Sequence, residues 1–209
     1  MQFVSSATKP PYHHGDLKNA LTDAAIELAA ADGPEQITVR AVAKRVGVTP
    51  TAAYRHFAGH DDLVQAVKDR AMGALAESIE KALAAVDPTE DVVARLAAAG
   101  TGYCSFAIAE PGLFLTAFCR GDSELTDPLD SQLHEHEPYR LLVDVVDELI
   151  QAGLADESER TIIETSAWSS VHGLSMLLID GPLRLIPDDA KIELIQEVVA
   201  FNSRRWAGR

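Results

Sequence analysis

The chain has 209 residues, which is enough for one or two helical domains with a hydrophobic core. Hydrophobic residues make up 47% of it and aromatic residues 6%, a mixture that suits a protein of helices and leaves no run of about 18 apolar residues for a membrane span. A net charge of −14, taken alone, argues against binding to nucleic acid.

The chain is expected to begin with a flexible polar arm over residues 1–11, followed by an amphipathic helix. Asp16 is placed to cap this helix. Its apolar face has the spacing of four, three and four residues that a helix requires, and consists of Leu17, Leu21, Ala24 and Leu28. The breakers that end it are Asp32, Gly33 and Pro34.

Two short helices joined by a tight turn come next. Thr38 caps the first, whose inward residues are Val39, Val42, Ala43 and Val46. Gly47 ends it, since the residue after a helix often takes a positive φ. Thr49 caps the second, with Pro50 at a first position that needs no N–H, and its inner face holds Ala53 and Phe57. Such a Gly47-Val48-Thr49 link is typical of a helix-turn-helix.

The rest of the chain is predicted to be helical throughout. Asp61 and Asp62 open a long helix to about Ala85, spanning roughly 37 Å. Further helices are predicted over 90–109, 112–119, 128–152, 158–180 and 188–205. No segment alternates as a strand would. The predicted fold class is all-α: an N-terminal three-helix helix-turn-helix domain with its arm (1–60), a connecting helix (61–86) and a C-terminal helical domain (87–209).

The distribution of charge reverses the argument from net charge. Gln36 to His60 contains no Asp or Glu and four basic residues, Arg40, Lys44, Arg45 and Arg55, whereas the remainder of the chain holds 14 basic and all 32 acidic residues. A surface that lies on phosphates must be free of carboxylates, because each would repel the DNA backbone. Chance clustering is the alternative reading of the charges alone.

The last two predicted helices favour a homodimer. After Ala167 the helix over 158–180 is apolar on nearly every side, so it must be covered on every side. We expect it and the helix over 188–205 to pair with their copies in a four-helix bundle, with Gly173 allowing close approach of the backbones. A two-fold protein is what a palindromic DNA site requires. The alternative is a larger core within one chain.

The stretch from Ile37 to Leu63 resembles the DNA-binding domain of the tetracycline-repressor (TetR) family. It has a Thr opening the second helix, a Gly-Val turn, the sequence Tyr54-Arg55-His56-Phe57 and an Asp-Leu at the start of the fourth helix. The resemblance covers about residues 12–70. Two less specific matches point to a subgroup of the family. One is Tyr12 to Leu17. The other lies in the C-terminal helical domain, called the body below, where Trp168 with His172-Gly173-Leu174 looks like a WHG-type C-terminal domain.

The resemblance implies a role in transcription for the chain, as a repressor that binds a double-stranded DNA operator and releases it when a small-molecule effector binds. Thr38, Tyr54 and His56 would contact phosphate, and Arg40 phosphate or a base edge, with Arg55 nearby. Pro50, Thr51 and Ala52 would face bases in the major groove, where a methyl group packs on thymine. The full expected set of DNA-binding residues is Thr38, Arg40, Lys44, Thr49, Pro50, Thr51, Ala52, Tyr54, Arg55, His56 and His60.

His60 departs from the family pattern, which usually has Lys just before the acidic start of the fourth helix. A neutral imidazole attracts phosphate less than an ammonium does. This contact is therefore weaker, or it depends on pH near 6.5.

The resemblance also implies that the C-terminal helical domain holds a mostly apolar effector pocket among its middle helices. Candidate lining residues are Tyr103, Phe106, Phe114, Phe118, Trp168, His172 and Met176. Ordinary core packing is the alternative for each of them, and for His172 a satisfied core histidine.

Enzymatic chemistry, metal and cofactors are not expected. No nucleophile elbow or phosphate-binding glycine loop is present. The His134-Glu135-His136-Glu137 run is expected to be a solvated charged stretch, because residues i and i+2 of a helix point apart. Cys104 and Cys119 read as reduced residues of a cytoplasmic protein, with a disulfide as the alternative. An all-helical ligand carrier without DNA function remains as a second hypothesis.

Overall fold

The computed structural model describes residues 14–119 and 136–206, and there it contains α-helices and no strand. The predicted all-α fold class is confirmed. The helices are α1 His14–Asp32, α2 Val39–Val46, α3 Pro50–Ala53, α4 His60–Ala84, α5 Val92–Ala109, α6 Pro111–Phe118, α7 Glu137–Gln151, α8 Arg160–Ile179 and α9 Asp188–Ser203.

Helices α1 to α3 form the head of the molecule, and its local signals act as predicted. The hydroxyl of Thr38 accepts a hydrogen bond from Ala41 N and that of Thr49 accepts one from Ala52 N, so both predicted caps are confirmed. Gly47 has φ 79°, in the left-handed region that favours glycine. Helix α1 begins at His14, so Asp16 lies within its first turn rather than at its cap. Capping patterns locate a helix end only to within one or two residues.

The core of the head lies between α1, α2 and the start of α4. Leu21, Val42, Phe57 and Leu63 are buried as predicted. Val46 and Val48 are half-buried at the edge of this core rather than inside it. They flank the turn, where the chain itself provides less cover.

Helix α5 is the centre of the body and packs against α4, α6, α7, α8 and α9. By length and composition it could cross a membrane, with a mean hydropathy of 1.4 over 18 residues. Its surroundings are those of a core helix, since other helices pack on several of its sides. It also carries Arg95, which forms two hydrogen bonds of 2.6 and 3.0 Å with the carboxylate of Glu148 on α7.

Helix α6 connects the head to the body. Its first turn packs against the end of α1, where a Cβ added to Gly112 would lie 2.1 Å from the carbonyl oxygen of Ala29. At its other end, Lys68 Nζ on α4 donates a 2.6 Å hydrogen bond to the carbonyl of Cys119. One hydrophobic cluster therefore runs without a break from Leu21 in the head to Val199 in the body.

The predicted helix over 128–152 is present from Glu137, and residues 128–135 lie outside the described residues, as do His134, Glu135 and the arm. Glu137 pairs with Arg140 at 3.7 Å, as in a solvated helix start. The end of the chain keeps the predicted α8 and α9, with an added 3₁₀ turn over Arg204–Trp206 whose tryptophan is buried.

Candidate nucleic-acid interface and body cavity

The carboxylate-free segment forms an exposed surface on the head. Arg40 and Lys44 lie four residues apart on one side of α2, and Arg55 follows α3; all three are exposed. Among the described residues none of these three takes part in an ion pair. Arg45 differs, because its Nε donates to Glu27 Oε2 at 2.7 Å. Three of the four cations of this segment therefore have no carboxylate partner within the part of the chain that the structure describes.

Helix α3 is only four residues long and is held at both ends. Thr49 caps it, while Ala53 and the following Phe57 are buried and anchor it to the core. Pro50 and Thr51 are exposed, and Ala52 is half-buried. After the helix the chain turns through Tyr54, which is 49% exposed, to His56, which is half-buried. The residues predicted to face bases are thus presented by a rigid turn.

His60 brings the start of α4 beside the start of α2. Its Nδ1 lies 2.7 Å from the carbonyl oxygen of Ile37, the residue before Thr38. A carbonyl only accepts, so Nδ1 carries a proton and Nε2 is the remaining nitrogen of this exposed ring. Two helix N-termini, each with N–H groups that favour anions, therefore lie side by side.

Lys18 adds a cation to the head that sequence reasoning did not single out. Its Nζ stands 5.9 Å from the centre of the Phe57 ring. Nothing in the sequence signals this contact, because Lys18 lies on α1 far from the carboxylate-free segment.

A cavity of about 470 Å³ lies in the body between α4, α5, the end of α6, α7, α8 and α9. This volume is within the range typical of small-molecule pockets. Most of its walls are apolar or aromatic. Residues that line it include Met72, Ile79, Leu96, Tyr103, Phe118, Cys119, Tyr139, Leu142, Trp168, Val171, Val199, Asn202, Arg205 and Trp206.

Three of the seven candidate pocket residues, Tyr103, Phe118 and Trp168, line this cavity. The other four, Phe106, Phe114, His172 and Met176, are not among its lining residues. Phe114 is fully buried, with its ring centre 5.6 Å from that of Tyr103 and 4.9 Å from that of Phe118. His172 packs on Phe118 at 4.7 Å. Phe106, Phe114 and His172 thus form an aromatic layer behind the wall, and Met176 packs half-buried against the same hydrophobic cluster.

Tyr103 joins the cavity wall to His172. The Trp168 Nε1–H points at the Tyr103 hydroxyl oxygen at 3.4 Å, and that hydroxyl lies 2.9 Å from His172 Nδ1. An indole N–H only donates, so we assign the Tyr103 proton to the bond with Nδ1. Burial raises the pKa of Tyr103, and burial lowers the pKa of His172. Both side chains are therefore neutral at pH 7.

Tyr139 also lines the cavity, with its ring centre 5.8 Å from that of Trp168, and it contacts a buried acid. Its hydroxyl donates to Glu164 Oε2 at 2.8 Å, and Glu164 Oε1 lies 3.5 Å from Arg160 Nη1. Burial, aided by the neighbouring carboxylate, raises the pKa of Tyr139 to about 12. The Glu164 side chain is thus held away from the cavity.

Sequence reasoning missed the contribution of α9 and the 3₁₀ turn to the cavity. Arg205 lies there, with Nη2 3.2 Å from Glu159 Oε1 and its guanidinium 4.8 Å from the centre of the Trp206 ring. A tryptophan three residues after an amphipathic helix was the available signal. Both cysteines are free thiols. Burial raises the pKa of Cys104 to about 11, while Cys119 is half-buried at the cavity.

Two family models match the chain. One, described as a tetracyclin repressor-like C-terminal domain, matches residues 96–201, about half of the chain. The other, described as bacterial regulatory proteins of the tetR family, matches residues 21–67.

Individual proteins also resemble it. An uncharacterized HTH-type transcriptional regulator of Bacillus subtilis (strain 168), YobS, is 25% identical over 165 residues, covering 78% of this chain and 80% of its own. A Rhodococcus sp. RHA1 protein with unknown function has a TM-score of 0.75 and 28% identity, covering 96% of this chain and 98% of its own. FadR of Bacillus subtilis, solved in complex with stearoyl-CoA, has a TM-score of 0.61 at 18% identity, covering 88% and 98%, and shows the likeness of fold.

Proposed function

Since the chain belongs to the TetR family of bacterial transcriptional regulators and carries its DNA-binding domain, we propose that it is a dimeric repressor that leaves a palindromic operator when a small, mostly apolar effector enters the body cavity. The observation that carries this proposal is the position of α6. Its start packs on α1 of the head, and its end lines the cavity through Ala117, Phe118 and Cys119. The protein acts in the cytoplasm, where its operator is.

On DNA, the two groups of head residues have different tasks. Thr38, Tyr54, His56 and His60 contact phosphates and set the register, with added attraction from Arg40, Lys44 and Arg55. Pro50, Thr51 and Ala52 read bases, largely through methyl contacts. Helix α3 and the turn that follows it have few long polar side chains, so DNA shape also contributes to sequence preference. All of these residues except Ala52 and His56, which are half-buried, are exposed on the head and so are accessible to DNA.

The dimer forms through α8 and α9. One face of α8 is exposed and without charge along its length: Ile162, Thr165, Ser169, Gly173 and Leu177. No atom lies within 4 Å of the place a Cβ would take on Gly173, so a second backbone has room there. On α9, Ile192 is 50% exposed and Phe201 69%. These apolar groups are what a partner subunit covers.

Light scattering tests the dimer. Leu177→Glu places a carboxylate in the proposed interface and is expected to give monomers at micromolar concentration, because an unpaired buried charge is costly. Ala152→Glu adds the same charge at an exposed position after α7 and is expected to leave the dimer intact. A wild-type monomer at this concentration contradicts the proposal.

Effector binding reaches the head through α6. A ligand against Phe118 and Cys119 moves the end of α6, which Lys68 ties to α4, and the start of α6 carries α1 with it. The spacing of the two heads of the dimer then no longer fits successive major grooves about 34 Å apart.

The decisive experiment compares binding to DNA from just upstream of the protein's own gene with binding to random DNA, at two salt concentrations. Tight binding that resists competitor DNA, with log K falling as log salt rises, is expected of a specific repressor. An all-helical ligand carrier shows no preference at either concentration. Equal binding to both DNAs, followed by failure to enrich any sequence from a random pool, refutes the proposal.

A further inference from the structure

We propose that the effector carries a carboxylate on an apolar body, and that the guanidinium of Arg205 binds this carboxylate at the mouth of the cavity. This inference rests on the proposed function in one respect only, that the cavity is the effector site.

The wall of the cavity carries a single kind of charge among the described residues. Among the described residues that line the cavity, Arg205 is the only one with a formal charge at neutral pH, if the histidine His136 is counted as neutral. No carboxylate is among those lining residues, although the chain holds 32 of them. A carboxylate in the wall would favour a cationic ligand, whereas a lone guanidinium favours an anionic one, because an unpaired charge is costly to remove from water.

The acids nearest to the cavity are bound to other groups. Glu164 is 4% exposed, and its carboxylate faces the Tyr139 hydroxyl and Arg160. Glu159 is fixed by the 3₁₀ turn, since its Oε2 accepts a hydrogen bond from Asp156 N at 3.2 Å. Glu159 therefore serves to position Arg205, and neither acid lines the cavity.

The guanidinium of Arg205 is held in place by two neighbours. One nitrogen, Nη2, contacts Glu159, and the planar group lies 4.8 Å from the centre of the Trp206 ring. A guanidinium has five N–H donors in a rigid fork that matches a carboxylate, so donors remain for a ligand. The side chain is 55% exposed, which places it at the solvent end of the cavity, where an anion keeps part of its hydration.

The apolar body of the ligand lies along α8. Residues of α8 line the cavity from Ile163 to Val171, which corresponds to roughly 12 Å along the helix axis. Arg205 pairs with Glu159 just before the start of α8, so the charge is at one end of this length. Tyr103, Phe118 and Trp168 lie toward the other end, next to α6. The ligand is thus an elongated amphipathic monocarboxylate.

The test uses three probes with one alkyl chain: decanoic acid, methyl decanoate and decylamine. Their binding to the full-length protein is titrated at pH 8 and read from tryptophan fluorescence, since both tryptophans of the chain, Trp168 and Trp206, line the cavity. Decanoate is expected to bind about tenfold tighter than the ester or the amine, the gain of a charge-assisted hydrogen bond at a half-exposed site.

Substitutions then assign this gain to one residue. Arg205→Gln is expected to weaken decanoate binding about tenfold and to leave the ester unchanged, because only the charge-assisted bond is lost. Arg205→Lys keeps the charge and restores part of the difference. Arg140→Gln is the matched control, since the Arg140 side chain is 60% exposed, close to the 55% of Arg205, but lies outside the cavity lining. Thermal unfolding confirms that each variant is folded.

The outcomes separate this inference from the proposed function. Equal affinity for decanoate and its ester, or an equal loss of both in Arg205→Gln, overturns the carboxylate while the cavity remains a ligand site. Absence of binding by all three probes overturns both the carboxylate and the cavity as effector site. Specific DNA binding, measured separately, decides the repressor function independently of either result.

Discussion

Replacing Gly112 with alanine tests whether the start of α6 is locked against α1. The added Cβ would stand 2.1 Å from Ala29 O, 2.8 Å from Ala30 Cα and 2.9 Å from Ala29 C. All three are backbone atoms, which no rotamer change can move. A carbon and a carbonyl oxygen approach to about 3.3 Å, so α6 and α1 must separate by about 1.2 Å.

The cost follows from two opposing effects. Overpacking of a rigid contact costs about 1–3 kcal/mol, and a backbone contact belongs at the upper end of that range. Alanine in place of glycine within a helix raises the free energy of unfolding by about 1 kcal/mol. We therefore expect Gly112→Ala to lower the free energy of unfolding by about 2 kcal/mol. The same exchange at Gly73, which is exposed on α4 with no atom within 4 Å of the new Cβ, is expected to raise it by about 1 kcal/mol.

Urea unfolding of the wild type and the two variants, followed by far-UV circular dichroism, measures both changes. The two alanines have the same chemistry, so the opposite signs isolate the contact with α1. If Gly112→Ala is as stable as Gly73→Ala, then α6 does not press on α1 and the route from cavity to head fails. A loss confined to Gly112→Ala, together with weaker operator binding, supports that route.

Three further predictions concern the head, the link and the core. Lys68→Met removes the donor to the Cys119 carbonyl and is expected to lower the free energy of unfolding by about 1 kcal/mol. It is also expected to reduce the drop in DNA affinity that a bound ligand causes, measured by fluorescence anisotropy. An unchanged drop refutes the coupling of α6 to α4. Tyr54→Phe is expected to weaken binding to many DNA sequences alike and Thr51→Ala to change sequence preference, so identical effects in a binding selection contradict the division of phosphate and base contacts. Burial lowers the pKa of His172, so the unfolded chain takes up a proton first as pH falls below about 6.5 and folding is progressively destabilised; His172→Gln is expected to flatten this part of the stability profile in urea unfolding at several pH values.

The head could be predicted in detail because its signals are local. A threonine cap, a glycine with positive φ and a proline at the first helical position each act within four residues, so they can be recognised from the sequence alone. The ion pair of Arg45 with Glu27 could not be foreseen, because it joins residues 18 positions apart on different helices. Their distance depends on the packing of α1 against α2.

The cavity was harder to predict, because the sequence does not show whether a large apolar side chain lines a cavity or packs against another side chain. Phe114 and Phe118 lie one helical turn apart on α6, yet the first is fully buried and the second lines the cavity. Arg205 follows a helix whose apolar residues suggested only a dimer. Its place at the cavity results from the final 3₁₀ turn, which buries Trp206 and brings Arg205 to Glu159.

The construction of α3 affects how such a protein changes over generations. The helix is secured by Thr49 at one end and by Ala53 and Phe57 at the other, while Thr51 and Arg55 are exposed, and neither side chain forms a hydrogen bond or ion pair with the residues that the structure describes. Exchanges at the two outward positions leave folding almost untouched, since exposed substitutions away from caps and core usually stay within about 0.5 kcal/mol. With Thr51 proposed to read bases, one copy of a duplicated gene is expected to acquire a new DNA target through very few mutations, without an intermediate that fails to fold.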